Sequence, residues 1–78
     1  MTYKVDQTGR IDIIQNRSTR AVMWIYPTDK AEHKRVVAII RTANKQPYLE
    51  AVYQHLTDSL FDLGIKFRNP TINEREGR

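Results

Sequence analysis

The sequence predicts an α+β fold: a three-stranded antiparallel meander is followed by two antiparallel helices packed on one face, with a possible short fourth strand after the helices (βββαα[β]). Polar and apolar side chains alternate through residues 1–26 between turn-forming residues, which is typical of strands. Residues 29–63 instead repeat apolar side chains at helical spacing. From a length of 78 residues we expect a single domain over residues 1–69 and a flexible C-terminal tail over residues 70–78.

The three strands are separated by turn-forming residues. A first strand is predicted around Tyr3, a second over residues 11–15 and a third over residues 21–26. Gly9 supplies a turn position between the first two strands, because glycine tolerates positive φ. Pro27 ends the third strand, since proline has no N–H to donate to a sheet.

The two helices carry recognisable end signals. Asp29 is predicted to cap the first helix, with Glu32 completing a capping-box pattern. Pro47 is expected in the first turn of the second helix, where its missing N–H would have no partner. Gly64 suits the left-handed residue that ends a helix, with Ile65 folding back as in a Schellman motif. The predicted apolar stripes are Val36, Val37, Ile39, Ile40 and Ala43 in the first helix, and Leu49, Val52, Tyr53, Leu56, Leu60 and Leu63 in the second.

The composition limits how so small a domain can be stabilised. A chain of this size buries only about 60% of the surface that it exposes when unfolded. Cysteine is absent, which excludes disulfides, and zinc is disfavoured because only His33 and His55 offer nitrogen ligands. Self-association remains as a supplement, so a homodimer is expected. The longest wholly apolar run, Ala21–Tyr26, is far shorter than a membrane span, and no signal peptide is recognisable, so the expected location is the cytoplasm, without a membrane partner.

Catalytic patterns are missing from the sequence. A nucleophilic triad would place a serine or threonine near a histidine and a carboxylate, but no glycine-rich elbow accompanies His33 or His55. The three glycines are isolated, which excludes a phosphate-binding glycine loop. We therefore expect no enzymatic activity, no catalytic residue, no metal and no cofactor.

Charge is segregated along the chain. The formal net charge is +4, yet no lysine or arginine lies between Lys45 and Lys66. That interval carries Glu50, Asp58 and Asp62, a net charge of −3. The segregation separates a predicted anion-binding surface from a segment that repels anions.

The leading hypothesis is a small nucleic-acid-binding protein. Lys30, Lys34 and Arg41 project within about 40° of one another on the first predicted helix, opposite its apolar stripe. Such clusters gain affinity by releasing counterions from phosphates, although solubility alone also explains an exposed charged helix. The order of three strands and a helix over residues 3–43 resembles, in topology alone, the arm-type DNA-binding domains of integrases. The predicted phosphate contacts are Arg10, Arg17, Arg20, Lys30, Lys34 and Arg41.

The alternative hypothesis is a regulator or inhibitor of the kind that phages and mobile elements encode. It would bind a basic protein partner through the second helix, where Phe61 projects close to Glu50 and Gln54 on the polar side. Trp24 and Tyr26 share one face of the third strand and could form a dimer interface, part of the core, or a platform for stacking bases. The predicted partner or dimer contacts are Trp24, Tyr26, Glu50, Asp58 and Phe61.

Overall fold

A computed structural model describes residues 1–15 and 20–69 of the chain. The predicted tail over residues 70–78 lies outside the described residues. The described residues divide into two compact units, one formed by residues 1–15, 20–26 and 67–69, the other by residues 27–66. The order of elements confirms the predicted α+β fold, with the fourth strand present. The elements are β1 (Thr2–Val5), β2 (Ile11–Ile14), β3 (Ala21–Tyr26), α1 (Lys30–Ala43), α2 (Leu49–Leu63) and β4 (Lys66–Arg68).

The strands form one sheet in the order β1-β2-β3-β4. β1 and β2 pair antiparallel, as do β2 and β3. Asp12 stands opposite Lys4 on one side and opposite Trp24 on the other. The register between β2 and β3 shifts between Ile13 and Ile14, which is the signature of a β-bulge.

The buried side chains of the sheet follow the two-residue period of its strands. Ile11 stands opposite Ile25, and Ile13 stands opposite Met23. All four are fully buried, at 0% exposure, whereas Trp24 between them is half-buried. Burial of such a side chain stabilises a fold by about 1.5–3 kcal/mol. This alternation places one face of β2 and β3 away from water and leaves Asp12 on the other.

The first hairpin turn is organised by a single carboxylate. Oδ1 of Asp6 accepts hydrogen bonds from the Thr8 N–H at 2.9 Å, the Thr8 hydroxyl at 2.7 Å and the Arg10 N–H at 2.9 Å. Gly9 has a φ of 91°, a conformation that side chains with a Cβ rarely adopt. The turn therefore forms where the sequence predicts it, and Asp6 fixes its geometry.

Two of the predicted end signals, the Asp29 cap of α1 and the left-handed Gly64 after α2, are confirmed. The Asp29 carboxylate accepts from the Glu32 N–H at 2.8 Å. The Glu32 carboxylate accepts from the Thr28 N–H at 2.9 Å, one residue before the Asp29 N–H that a capping box uses. At the end of α2, Gly64 is left-handed with a φ of 67°, and the Ile65 N–H donates to the Leu60 carbonyl at 3.0 Å. These local bonds satisfy backbone groups that a helix end otherwise leaves without partners.

The expected position of Pro47 is wrong. α2 begins at Leu49, and Pro47 lies in a bend before the extended N-cap residue Tyr48. The helical turns of α1 continue into the connection, where the Lys45 N–H donates to the Thr42 carbonyl and the Gln46 N–H to the Ala43 carbonyl, at 3.1 and 3.0 Å. Proline disfavours helical backbone at the preceding residue and cannot donate a further bond. Pro47 therefore lies in the connection between the helices, outside the first turn of α2.

The two helices contact each other and are joined by residues 44–48 as a helical hairpin. Leu49 and Leu63, predicted on the apolar stripe of α2, lie at its two ends and are 46% and 48% exposed. The buried positions recur every three or four residues and are Val36, Ile40 and Ala43 in α1 and Val52, Leu56 and Leu60 in α2.

Candidate nucleic-acid interface

The basic face of α1 is the exposed surface formed by Lys30, Lys34, Arg35 and Arg41. Three of these residues are predicted contacts, and the structure brings them together on one helix. Arg35 is an additional member that projects about 100° from Lys34 around the helix axis. Helical projection of the sequence could have identified Arg35 as well, but Arg35 lies outside the roughly 40° sector that contains Lys30, Lys34 and Arg41. With Glu32 included, α1 carries a net charge of +3.

Small side chains lie between these cations. Ala31, Ala38 and Thr42 are exposed and project between Lys34 and Arg35. A ligand can approach the helix backbone more closely over an alanine than over a longer side chain. A phosphate chain can therefore lie close to the helix with the cations of the basic face around it.

The cations of the basic face are available for a ligand. None of the four forms an ion pair or a hydrogen bond through its side chain with another described residue. The acidic groups at the start of α1, Asp29 and Glu32, are occupied by capping hydrogen bonds to backbone N–H groups. Lys30 and Arg41 are separated by about 16 Å along the helix axis, a length that covers about five phosphates of one strand.

Arg10 differs from the cations of α1 because its charge is already compensated. Its Nε lies 2.6 Å from Oδ1 of Asp12 and 3.4 Å from Oδ2 of Asp6. Its Nη2 donates to Oδ2 of Asp12 at 3.1 Å. The hydrogen bond to Asp12 raises the pKa of Arg10 above its usual value. A phosphate at Arg10 would have to compete with two carboxylates.

Arg17 and Arg20 are the other two arginines among the predicted phosphate contacts outside α1. Arg17 lies outside the described residues. Arg20 is exposed immediately before β3, in the unit that contains the sheet. Neither residue belongs to the basic face of α1, so that face alone is the candidate interface described below.

The aromatic residues of β3 are partly accessible to solvent. Trp24 and Tyr26 are both half-buried. Among the described residues, the large apolar or aromatic side chain with the greatest exposure is Phe61, at 80%. Roles for Trp24 and Tyr26 in a dimer, in the core or in base stacking stay predictions.

The acidic face of α2 is the exposed surface formed by Glu50, Gln54, Asp58, Phe61 and Asp62. These residues project within about 120° on the side of α2 away from its buried residues. The Gln54 side-chain amide donates to Oδ1 of Asp58 at 2.8 Å. The helix contains no lysine or arginine and has a net charge of −3. Two predicted partner contacts of α2, Asp58 and Phe61, therefore lie within one helical turn of each other, and Glu50 lies on the same side of the helix about 16 Å from Phe61 along its axis.

Comparisons with known proteins add no family to these observations. No protein-family model, no curated protein and no solved structure matches the chain. No described helix is long and apolar enough to cross a membrane. Within residues 1–15 and 20–69, no group of three or more potential ligand side chains could hold a metal ion.

Proposed function

We propose that this chain is a small non-enzymatic nucleic-acid-binding protein that contacts phosphates with the basic face of α1. The observation that carries the proposal is that Lys30, Lys34, Arg35 and Arg41 are exposed on one helix, each without an ion pair among the described residues. Each phosphate that such a face neutralises releases counterions, which supplies sequence-independent affinity.

The composition of the basic face favours a duplex ligand. It contains no aromatic side chain, so it lacks the base stacking that dominates recognition of single strands. An α-helix has a diameter of about 10–12 Å with its side chains, close to the width of a DNA major groove. The exposed Ala31 and Ala38 permit a close approach to the phosphate backbone. We therefore expect duplex to bind more tightly than single strands, with weak sequence preference.

Salt dependence tests this proposal. Binding of a fluorescent generic duplex is measured by anisotropy at roughly 50 and 200 mM salt. With four phosphate contacts the affinity should fall on the order of 10²-fold over that range. Absence of binding at the lower salt concentration would overturn the proposal.

A matched pair of variants separates the basic face from net charge. The double substitution Lys30→Glu with Lys34→Glu should weaken duplex binding at least tenfold. The control, Lys45→Glu with Lys66→Glu, makes the same change of net charge at two other exposed lysines of the same unit. Equal losses in the two variants would show that net charge, and not the face of α1, attracts the duplex.

A second candidate function is a protein-interaction regulator that binds a basic partner through the acidic face of α2. The specific observation that favours it is Phe61, which is 80% exposed within one helical turn of Asp58 and Asp62. Exposed aromatic rings are enriched at protein interfaces, and surrounding carboxylates select a cationic partner. Charge reversal at Glu50 and Asp58 should abolish partner binding and leave duplex affinity intact.

A further inference from the structure

The two helices of the hairpin carry exposed faces of opposite charge and similar length. α1 has 14 residues and α2 has 15. The net charges are +3 for α1 and −3 for α2. No described ion pair joins the two helices within the chain. Each charged face lies on the side of its helix away from the buried residues, so both remain available to another molecule.

The two faces also differ in relief. On the basic face of α1, the short side chains of Ala31 and Ala38 lie between longer cationic side chains. On the acidic face of α2, Phe61 projects as a single ring next to Asp58. An aromatic ring beside a carboxylate complements short side chains beside cations in both size and charge.

We propose that the acidic face of α2 docks onto the basic face of α1 of a second copy of this chain. With the two helices antiparallel, Phe61 would lie over Ala31, with Asp58 beside Lys34 and Glu50 beside Arg41 of the second copy. This inference rests on the second candidate function above, because it names the protein that α2 binds. The contact uses different surfaces on the two copies, so it is heterologous and can repeat from copy to copy.

A second copy is favoured over an unrelated basic protein by what the chain itself supplies. Its own α1 presents a cationic face of matching length, with its charges unpaired within the described residues. The chain contains no cysteine, and domains of this size commonly gain stability by oligomerisation. A second copy of the chain therefore supplies the cationic face that the docking requires.

Competition with nucleic acid follows from the shared surface. The basic face of α1 would hold either phosphates or the carboxylates of Glu50, Asp58 and Asp62 from a second copy. Added duplex should therefore dissociate the self-associated chain, and self-association should weaken duplex binding as the protein concentration rises. Both effects should diminish at high salt, because exposed charges are screened.

Complementation of two variants tests the docking. The α2 variant combines Asp58→Lys with Phe61→Ala, and the α1 variant combines Lys30→Glu with Lys34→Glu. Each alone lacks one half of the contact and should sediment as a monomer of 9.2 kDa. Their equimolar mixture retains one intact α1 face and one intact α2 face, so it should form a species of twice that mass and no larger. Circular dichroism melts establish that both variants fold.

Three outcomes would overturn the docking: a wild-type chain that is monomeric at high concentration and low salt, single variants that associate like the wild type, or a mixture that stays monomeric. If the mixture stays monomeric while the wild type, but not the α2 variant, binds an oligolysine peptide, the α2 face belongs to a different basic protein. The Lys45→Glu with Lys66→Glu control should self-associate like the wild type.

The nucleic-acid proposal can fail independently. The α2 variant keeps its basic face and should bind duplex at least as well as the wild type. If no variant binds duplex but the mixture still forms a dimer, the nucleic-acid proposal fails and the docking stands. If the α2 variant binds duplex and the mixture stays monomeric, the docking fails alone.

Discussion

The guanidinium of Arg10 is held by the carboxylate of Asp12 through two hydrogen bonds, at 2.6 Å from Nε to Oδ1 and 3.1 Å from Nη2 to Oδ2. Asp6 lies on the same guanidinium at 3.4 Å, so two carboxylates surround one cation at the first hairpin. Bidentate pairs of this kind have a defined geometry that a single exposed ion pair lacks. Arg10, in the sheet unit, is therefore paired, whereas Lys30, Lys34, Arg35 and Arg41 of α1 have no ion pair among the described residues.

Substitution of Arg10 should have little effect on duplex binding. We expect Arg10→Gln to change the dissociation constant less than twofold, because its charge is offset by Asp12 in the free protein. Lys34→Glu, which removes a cation without a described ion pair, should weaken binding severalfold in the same anisotropy assay. A larger loss for Arg10→Gln than for Lys34→Glu would contradict this assignment.

Acid should loosen the first hairpin through Asp6. Hydrogen bonds, above all from the Thr8 hydroxyl, hold the pKa of Asp6 below the usual aspartate value of 3.8. A carboxyl group with a lowered pKa in the folded state contributes stability that is fully present above its unfolded value. That contribution declines as pH falls below about 3.8 and is lost once pH passes below the folded pKa.

Carbon-detected NMR titration of the Asp6 carboxyl measures this directly. A midpoint for Asp6 at or above the usual aspartate value of 3.8 would refute the predicted shift. The variant Asp6→Asn keeps an acceptor for the turn hydrogen bonds and should remove the acid-dependent change at Gly9.

Alanine at position 64 should destabilise the end of α2 through backbone conformation alone. Gly64 has a φ of 67°, and a Cβ added there meets no other atom within 4 Å. The left-handed conformation costs a residue with a side chain about 1–2 kcal/mol. Urea unfolding should show a loss of that size for Gly64→Ala and a smaller loss for Gly64→Asn, since asparagine tolerates this conformation better. Equal losses would point to a different cause.

Removal of the Tyr53 hydroxyl should not weaken the fold. The hydroxyl oxygen is buried, and no described group forms a hydrogen bond with it. Its burial raises the pKa of Tyr53, so the neutral form is favoured and stability should fall as pH rises above the usual value of 10. An unsatisfied buried hydroxyl costs about 1–3 kcal/mol.

We therefore expect Tyr53→Phe to raise the free energy of unfolding at neutral pH, by up to about 1 kcal/mol. The control is Tyr48→Phe, at a side chain that is 63% exposed, which should have no measurable effect. A clear loss of stability in Tyr53→Phe would show that its hydroxyl has a partner.

The sequence by itself determined the order of strands and helices and most of their ends. Asp29, Gly9 and Gly64 act through hydrogen bonds and dihedral angles that involve residues at most a few positions away, so their roles are readable from neighbours in the chain. The four-residue spacing of Lys30 and Lys34 likewise places them on one face, because an α-helix has about 3.6 residues per turn.

Tertiary structure decided which of the predicted site residues are available. Whether Arg10 is paired depends on where the Asp6 and Asp12 carboxylates point in the folded hairpin. The sequence allows the pairing, because Asp6 lies four residues before Arg10 and Asp12 lies two residues after it. The role of Pro47 depended on how far the turns of α1 continue into the connection. The 80% exposure of Phe61 depended on which residues pack against α2. Local bonds follow from nearby residues, whereas accessibility and charge compensation depend on side-chain positions that only the folded chain defines.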